Sequence, residues 1–245
     1  MPLARDRIIS AFELPGSIPI ERQNRYLSRP PRLFGSSLLS GKIRSNQERI
    51  FSRQFALLPN AVAVRMSNAT VYGNGAVMTS DGALIQETLR SKSDPLPELA
   101  SRAIEGTVAL LRKPGDANYG HWLIEILPRV NEFKKYYPKL DIRFGISFGP
   151  AELLGVRKDS LSWYGVSDKE IIYLNSVPTI IEDLIIISSN SIHSHTHDYC
   201  GLRQMSDLGR SASGAESVAS RRVYVKRPEG GRRRLLNEMQ VIDLL

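Results

Sequence analysis

The sequence predicts an α/β protein in which a small β-rich segment precedes a layer of parallel strands. Asn-Gly and Asp-Gly pairs separate short alternating apolar runs between residues 61 and 89, and such pairs mark hairpin turns because their residues tolerate positive φ. From residue 107 onwards, short apolar strands alternate with helical segments, which is the pattern of a parallel α/β layer. With 245 residues, 42% of them hydrophobic, the chain is long enough to bury a core.

The positive charge is concentrated near the two ends of the chain. The formal net charge is +8, and residues 1–60 carry ten Lys or Arg against four Asp or Glu. Residues 221–234 carry seven against one, so the rest of the chain is slightly acidic. We therefore expect an anionic partner: a nucleic acid, a membrane surface or a phosphorylated small molecule.

Cysteine usage and hydropathy indicate the compartment. Cys200 is the only cysteine, so the chain has no intrachain disulfide framework and fits a reducing environment. No apolar run approaches the roughly 20 residues that span a bilayer, and the N-terminus lacks the apolar core of a signal peptide. We expect a cytoplasmic chain whose contact with the inner membrane face is limited to peripheral association.

The chain divides into three predicted segments. Residues 1–60 mix Pro, Ser and Arg with weak periodicity and are predicted to form a basic, partly irregular arm. Residues 61–210 are predicted to form an N-terminal α/β domain that includes the antiparallel β unit. Residues 220–245 contain one strand, a loop and the start of a helix. Because one such unit cannot complete a sheet, we expect the chain to be truncated at its C-terminus.

The centre of the chain predicts a strand, a loop and a helix. "TVALLR" is a strand, "KPGDANYG" is a loop, and "HWLIEILPRVNEFKKYY" keeps apolar residues at helical spacing. Pro128 removes one helical hydrogen bond, which predicts a kink. Further strands are predicted at "DIRFGIS", "EIIYL" and "IEDLIIISS", and helical segments at "AELLGV" and "DSLSWYG".

The entrance to this helix is the first candidate site. Asn118 is a predicted N-cap, and the amides of the first turn favour a negative group or a hydroxyl oxygen nearby. His121 and Glu125 share one face, and Glu125 is placed to pair with Arg129. Two interpretations stay open: an ordinary capped amphipathic helix, or a ligand site at the end of a parallel strand.

The second candidate is the basic segment "RRVYVKRPEGGRRRLLNE". Arg227 lies at a strand end, two glycines form the turn, and Arg232 opens the helix. Backbone amides and guanidinium groups suit a diphosphate. The segment is neither a P-loop nor a GxGxxG fingerprint, so a solvated basic loop and a surface contact with nucleic acid remain alternatives.

The third candidate is "HSHTHDYC". His193, His195 and His197 alternate, so on a strand their imidazoles would share one face and suit zinc. The neighbouring Asn and Ser residues are typical of a loop, where alternation fixes no face, so we expect no metal. The chain also lacks HExxH, CxxC, Walker and dinucleotide motifs, which argues against zincin, redox and NTPase functions.

"NYGHWLIEILPRV" followed by "VYVKRPEGGRRRLLNE" resembles glycosyltransferase family 61, which includes capsular-polysaccharide biosynthesis proteins. The resemblance covers roughly residues 60–245. It implies a GT-B-like fold with an acceptor-side N-terminal α/β domain and a Rossmann-like C-terminal domain for the nucleotide sugar. Only the first strand-loop-helix of the second domain is recognisable, and the family's later "GPHGAGL"-like motif is absent.

The same resemblance implies the reaction and its substrates. It implies an inverting, nucleotide-sugar-dependent glycosyltransferase of capsular or extracellular polysaccharide biosynthesis, acting on a polysaccharide or lipid-linked glycan. No obligatory metal cofactor and no nucleic acid partner are expected. The alternative is a non-catalytic fragment or acceptor-binding scaffold, and a nucleic-acid-binding protein is the less favoured interpretation.

The resemblance also implies a role for each site residue. Either His121 or Glu125 is the catalytic base, and the choice requires geometry because the base must lie about 3 Å from the attacking oxygen. Trp122 either stacks on a sugar or packs as core, and Glu238 either contacts the ribose or caps the helix. The implied acceptor-binding residues are Asn118, Tyr119, Trp122 and Arg129, and the implied donor-binding residues are Arg227, Arg232, Asn237 and Glu238.

Overall fold

The computed structural model describes residues 7–20, 60–90, 102–149, 151–188 and 199–213, with a few single residues and pairs between them. By its internal contacts the chain forms two compact units, Met1–Ser206 and Asp207–Leu245. The described part of the second unit is the end of one helix. Most of the predicted arm and all of the predicted second domain, with its four donor-binding residues, lie outside the described residues.

The first unit is a mixed α/β structure with one large sheet and few helices. Within the described residues, three 3₁₀ turns, Ala11–Glu13, Gln86–Thr88 and Asp168–Glu170, join some of its elements. The strands are β1 (Ile8–Ile9), β2 (Ile18–Ile20), β3 (Ala61–Tyr72), β4 (Ala76–Met78), β5 (Leu84–Ile85), β6 (Arg102–Leu110), β7 (Ile142–Ile146), β8 (Ile171–Tyr173), β9 (Thr179–Ile187), β10 (Ser191–Ile192) and β11 (Thr196–His197); the helices are α1 (Tyr119–His121), a π-helix (Trp122–Ile126), α2 (Arg129–Tyr136), α3 (Ala151–Trp163) and α4 (Tyr199–Ser213).

The large sheet contains both the predicted antiparallel strands and the predicted parallel strands. In the described residues its order is β1-β5-β4-β3-β9-β6-β7-β8, and β2 pairs with β3. Strands β6, β7, β8 and β9 are mutually parallel, as predicted, and β3 pairs antiparallel with β4 and β9. The antiparallel strands are therefore part of the same sheet and not a separate unit. The long, almost wholly buried β3 makes this possible, because its residues 63–71 pair with β9.

The predicted hairpin turns are confirmed. Gly73 and Gly75 have φ of 52° and 96° beside Asn74, and Gly82 has φ of 87° after Asp81. Positive φ is the conformation that glycine adopts at least cost. Gly75 has a second constraint, because a Cβ atom there would lie 2.7 Å from Cβ of Arg112. The β3–β4 turn therefore packs directly on the chain that leaves β6.

Apolar side chains fill the two sides of the sheet. One cluster includes Val64, Val108 and Leu184 from the central strands. Burying such side chains contributes about 1.5–3 kcal/mol each. On the helical side, Phe133 and Phe144 meet edge to face with ring centroids 6.4 Å apart. This packing fixes α2 against the parallel strands.

The helix predicted from residue 121 onwards is interrupted. The Leu127 amide donates to the carbonyl of Trp122 at 2.9 Å, a five-residue step that widens the turn into a π-helix. Pro128 follows as the N-cap of α2, where its missing N–H costs little. The helix is thus interrupted at the proline for which a kink was predicted. The two helical segments predicted between residues 151 and 165 form the single helix α3.

A membrane-spanning helix needs about 20 predominantly apolar residues. Among the described residues, no helix has both the length and the apolar character that a membrane span requires.

Candidate active site

A cavity of about 300 Å³ opens where β6 and β9 end. Ligands of α/β sheets bind at the carboxyl ends of parallel strands, so this position fits the prediction for the helix entrance. The lining comes from four segments: residues 87–90 after β5, Leu110 and residues 112–114 after β6, His121, Glu125 and Arg129 from the helical region, and residues 186–188 at the end of β9.

Asn118 caps the helix that carries the candidate residues. Its side-chain oxygen accepts hydrogen bonds from the amides of Gly120 at 2.8 Å and His121 at 3.3 Å, which confirms the predicted cap. The cap satisfies amides that the helix start leaves unpaired. Next to it, Tyr119 is 52% exposed. Acceptor binding by these two residues stays a prediction.

His121 and Glu125 form a hydrogen-bonded pair at the cavity. Nδ1 of His121 lies 2.7 Å from Oε1 of Glu125, and the side chains are 34% and 2% exposed. Gly115, at φ 89°, lies beside the imidazole, because a Cβ there would be 3.4 Å from Cδ2 of His121. The pair therefore joins a buried carboxylate to an imidazole that reaches the cavity.

Lys113 is the third member of this cluster, and no sequence pattern singled it out. Its ammonium donates to Oε2 of Glu125, the oxygen that His121 does not use. Burial raises the pKa of the Glu125 carboxyl, but the hydrogen bonds from Lys113 and His121 outweigh burial and leave the pKa below its usual value. Glu125 is therefore an anion at neutral pH.

The ionised carboxylate determines the tautomer of the neutral imidazole. Glu125 offers only acceptor atoms, so Nδ1 of His121 carries the proton and donates it. The basic lone pair is then on Nε2, and no described residue is hydrogen-bonded to that nitrogen. This is the arrangement of a general base oriented by a carboxylate.

The loop that carries Lys113 is held by buried charges. Nε of Arg112 lies 3.2 Å from Oδ2 of Asp116, and its Nη1 donates to the Asn175 carbonyl at 2.9 Å. Arg157, 1% exposed, donates to the carbonyls of Asp116 at 2.6 Å and Ser147 at 2.8 Å. These bonds join the loop to the segments that follow β7 and β8.

Arg129 connects the helical region to the end of β9. The side chain is 4% exposed. Its Nε donates to the backbone carbonyl of Glu125 at 3.0 Å, and its Nη1 donates to the carbonyl of Ile187 at 3.2 Å. Arg129 thus contacts Glu125 through the backbone carbonyl. The ion pair between the two side chains stays a prediction. A contact between Arg129 and a sugar stays a prediction.

Trp122 lies in the core beneath the site. It is 1% exposed, its indole N–H donates to Oγ of Ser160 at 2.9 Å, and the Arg157 guanidinium lies 5.4 Å from its ring centroid. A sugar cannot reach a ring in this position. The burial therefore favours the packing interpretation of Trp122 over the stacking one.

The other predicted sites lie mostly outside the described residues. Arg227, Arg232, Asn237 and Glu238 are not described, and neither are His193 and His195. His197 lies in β11, which pairs antiparallel with β10, so the prediction of a loop is wrong at this residue. The proposed donor site and the histidine cluster therefore stay predictions from sequence.

Comparison with known proteins identifies one family. The model of the family described as Glycosyltransferase 61 matches residues 119–245, just over half of the chain. No curated protein and no solved structure matches the chain. The matched region begins at Tyr119 and includes His121, Glu125 and the predicted donor residues, whereas Lys113 precedes it.

Proposed function

The chain belongs to glycosyltransferase family 61, and from this premise we propose an inverting, nucleotide-sugar-dependent sugar transfer in capsular or extracellular polysaccharide biosynthesis. Family membership supports glycosyltransferase activity, with a sugar donor and a glycan acceptor as substrates. The structural observation that carries the proposal is the His121 imidazole, which lines the cavity and is oriented by the buried carboxylate of Glu125.

We assign the general base to His121 and an orienting role to Glu125. A general base works best when its pKa lies near the operating pH. Lys113 and His121 hold the Glu125 carboxyl below its usual pKa, which makes it a weak base. The imidazole has its proton on Nδ1 and leaves Nε2 open to an acceptor hydroxyl.

The proposed transfer is a single displacement. Nε2 of His121 takes the proton of the acceptor hydroxyl as its oxygen forms a bond to the anomeric carbon of the donor sugar. The bond from that carbon to the diphosphate breaks with inversion, and the diphosphate leaves with the electron pair. Glu125 stabilises the resulting imidazolium, as the carboxylate of a catalytic triad does.

The leaving group needs fixed positive charge. We propose that Arg227 and Arg232 stabilise the departing nucleoside diphosphate and that Asn237 and Glu238 contact the nucleotide. Guanidinium groups bind phosphate oxygens in bidentate geometry, so the proposal includes no obligatory metal. Activity that persists in EDTA is the expected outcome.

The acceptor is proposed to bind at the helix entrance. The side-chain oxygen of Asn118 is used by the cap, so its amide nitrogen is the group available to a sugar hydroxyl. Tyr119 is exposed and offers both a ring and a hydroxyl. Arg129 borders the same cavity and positions the main chain of Glu125.

The proposal is tested by sugar transfer from a panel of nucleotide sugars. The full chain is incubated with UDP-, GDP-, CMP- and dTDP-sugars and a polysaccharide acceptor, and both the released nucleotide and the acceptor mass are measured. We expect release that depends on one donor class and on the acceptor, together with an acceptor mass increase of one sugar. Acceptor binding without release for any donor would instead support the scaffold alternative.

A further inference from the structure

We propose that Lys113 is a positioning residue that holds His121 in its neutral, proton-accepting form by compensating the charge of Glu125. The inference deepens the proposed function, because it concerns the base assigned there. The geometry on which it depends is independent of the identity of the substrate.

Among the described residues, Lys113 and His121 contact different oxygens of the Glu125 carboxylate. The Lys113 ammonium contacts Oε2, and Nδ1 of His121 lies 2.7 Å from Oε1. The Glu125 side chain is 2% exposed and that of Lys113 is 20% exposed, so solvent screens these charges weakly. The three groups therefore act as one electrostatic unit.

A buried carboxylate with only an imidazole beside it favours the imidazolium, since an opposite charge within about 4–6 Å stabilises the protonated form. An imidazolium cannot accept a proton from a sugar hydroxyl. The ammonium of Lys113 supplies the compensating positive charge permanently. His121 then stays neutral while Glu125 still fixes its ring and its tautomer.

The main chain keeps Lys113 in this position. Gly75 approaches so closely that a Cβ there would lie 2.9 Å from the carbonyl carbon of Arg112 and 3.1 Å from the amide nitrogen of Lys113. Asp116 binds the Arg112 side chain and is itself held through its carbonyl by Arg157. These contacts fix the loop and keep the Lys113 ammonium beside Glu125.

Other charges surround the pair, and a substitution of Lys113 leaves each of them in place. From the same loop come Arg112 and Asp116, which are paired with each other. Arg129 donates to the main chain of Glu125, and Glu87 and Arg90 line the same cavity. The titration of His121 in a Lys113 variant therefore reports the contribution of this one ammonium group.

The test is an NMR titration of the full chain labelled with ¹⁵N-histidine. The His121 signals are assigned by their loss in His121→Gln. We expect Nδ1–H and unprotonated Nε2 in the neutral form. Lys113→Met is expected to raise the midpoint of the His121 titration by about one pH unit, a tenfold change in proton affinity. Lys113→Arg keeps the charge and should move the midpoint by less than about 0.3 unit.

Two controls keep the result interpretable. Lys158 makes an exposed salt bridge with Asp168 at 2.9 Å, away from the cavity, so Lys158→Met should leave the His121 midpoint unchanged. If Lys113→Met does not fold, Glu125→Gln provides the second variant. It removes the anion while Lys113 remains, and the midpoint should fall.

An unchanged or lowered midpoint in folded Lys113→Met would overturn the inference, as would a raised midpoint in Glu125→Gln. Because the titration requires neither donor nor acceptor, these outcomes are distinct from failure of the proposed transfer reaction. A chain with the expected titration and no sugar transfer would contradict only the proposed function.

Discussion

Two clusters in this molecule place an ionised carboxylate against a cation beside a cavity, yet they differ in chemistry. At Asp183, Arg65 binds both oxygens at 2.7 and 3.0 Å, and Thr107 donates to the second. Burial raises the pKa of Asp183, but the hydrogen bonds from Arg65 and Thr107 outweigh burial. The net result is a pKa below the usual value. The cluster lies on regular strands and lines a groove of about 670 Å³.

The cluster at Glu125 has the same charge pattern with a histidine added. Its carboxylate lies on a π-helix, a distortion often found at functional sites, and one nitrogen of its imidazole remains open to the cavity. The Asp183 cluster, as far as the structure describes it, has no group that exchanges a proton near neutral pH. A lowered carboxyl pKa is found in both clusters and therefore indicates only an ion pair. What distinguishes the Glu125 cluster as a candidate active site is the titratable side chain of His121, which is exposed to the cavity.

The largest expected difference between the clusters is in activity. We expect Glu125→Gln to lower the rate of sugar transfer by about 10²-fold or more, because the imidazole loses the group that fixes its tautomer. Asp183→Asn, of equal size, should change the rate by less than about threefold, since side chains remote from the reacting atoms contribute little differential binding. Initial rates at saturating donor measure both. A comparable loss in Asp183→Asn would remove the distinction.

The next largest expected effect is on the stability of the fold at Gly75, which packs against the start of the loop that carries Lys113. Gly75→Ala combines a positive φ with a Cβ that would meet Arg112 at 2.7 Å, and we expect it to destabilise the fold by about 2 kcal/mol. Urea unfolding measures the change. Gly155 lies in α3, where an added Cβ would have no neighbour within 4 Å, so Gly155→Ala should be neutral or stabilising by up to about 1 kcal/mol. Equal losses at both glycines would contradict the constraint at Gly75.

The smallest effect is the acid dependence of stability. The pKa of Glu125 is lowered in the folded chain, so its contribution is fully present above the unfolded value of about 4.3 and is lost as the pH falls through the folded value. Glu125→Gln should therefore make the free energy of unfolding fall less steeply below about pH 4.5. Asp183→Asn should act in the same direction, since the pKa of Asp183 is also lowered. Urea unfolding between pH 3 and pH 6 tests both, and an unchanged slope in either variant would contradict the corresponding shift.

The sequence predicted the elements whose signals are local. Strands β3 to β9 appeared as apolar runs, the turns at Gly75 and Gly82 as Asn-Gly and Asp-Gly pairs, and the helix start as the Asn118 cap. The short strands β1, β2, β10 and β11 were not predicted. The joining of both strand groups into one sheet was not predictable, because it depends on the long-range pairing of β3 with β9. The π-helix was missed since apolar spacing does not distinguish a five-residue hydrogen-bond step from a four-residue one.

The candidate site was also predictable only where its residues are close together in the sequence. His121 and Glu125 are four residues apart, so helical geometry alone brings them together. Lys113 lies across a loop from Glu125, and no periodicity connects the two. Its position directly after the predicted strand "TVALLR" was the one available signal, because residues at strand ends approach ligands in α/β sheets.

If His121 and Glu125 act as one catalytic unit, their substitutions should not have independent effects, and a double-variant cycle measures this. Transfer rates are measured for the full chain, His121→Gln, Glu125→Gln and the double variant. We predict a loss of about 10²–10⁴-fold in His121→Gln and no substantial further loss in the double variant, as for residues that work together. Losses that multiply, or a His121→Gln variant that retains the parent rate, would contradict the claim.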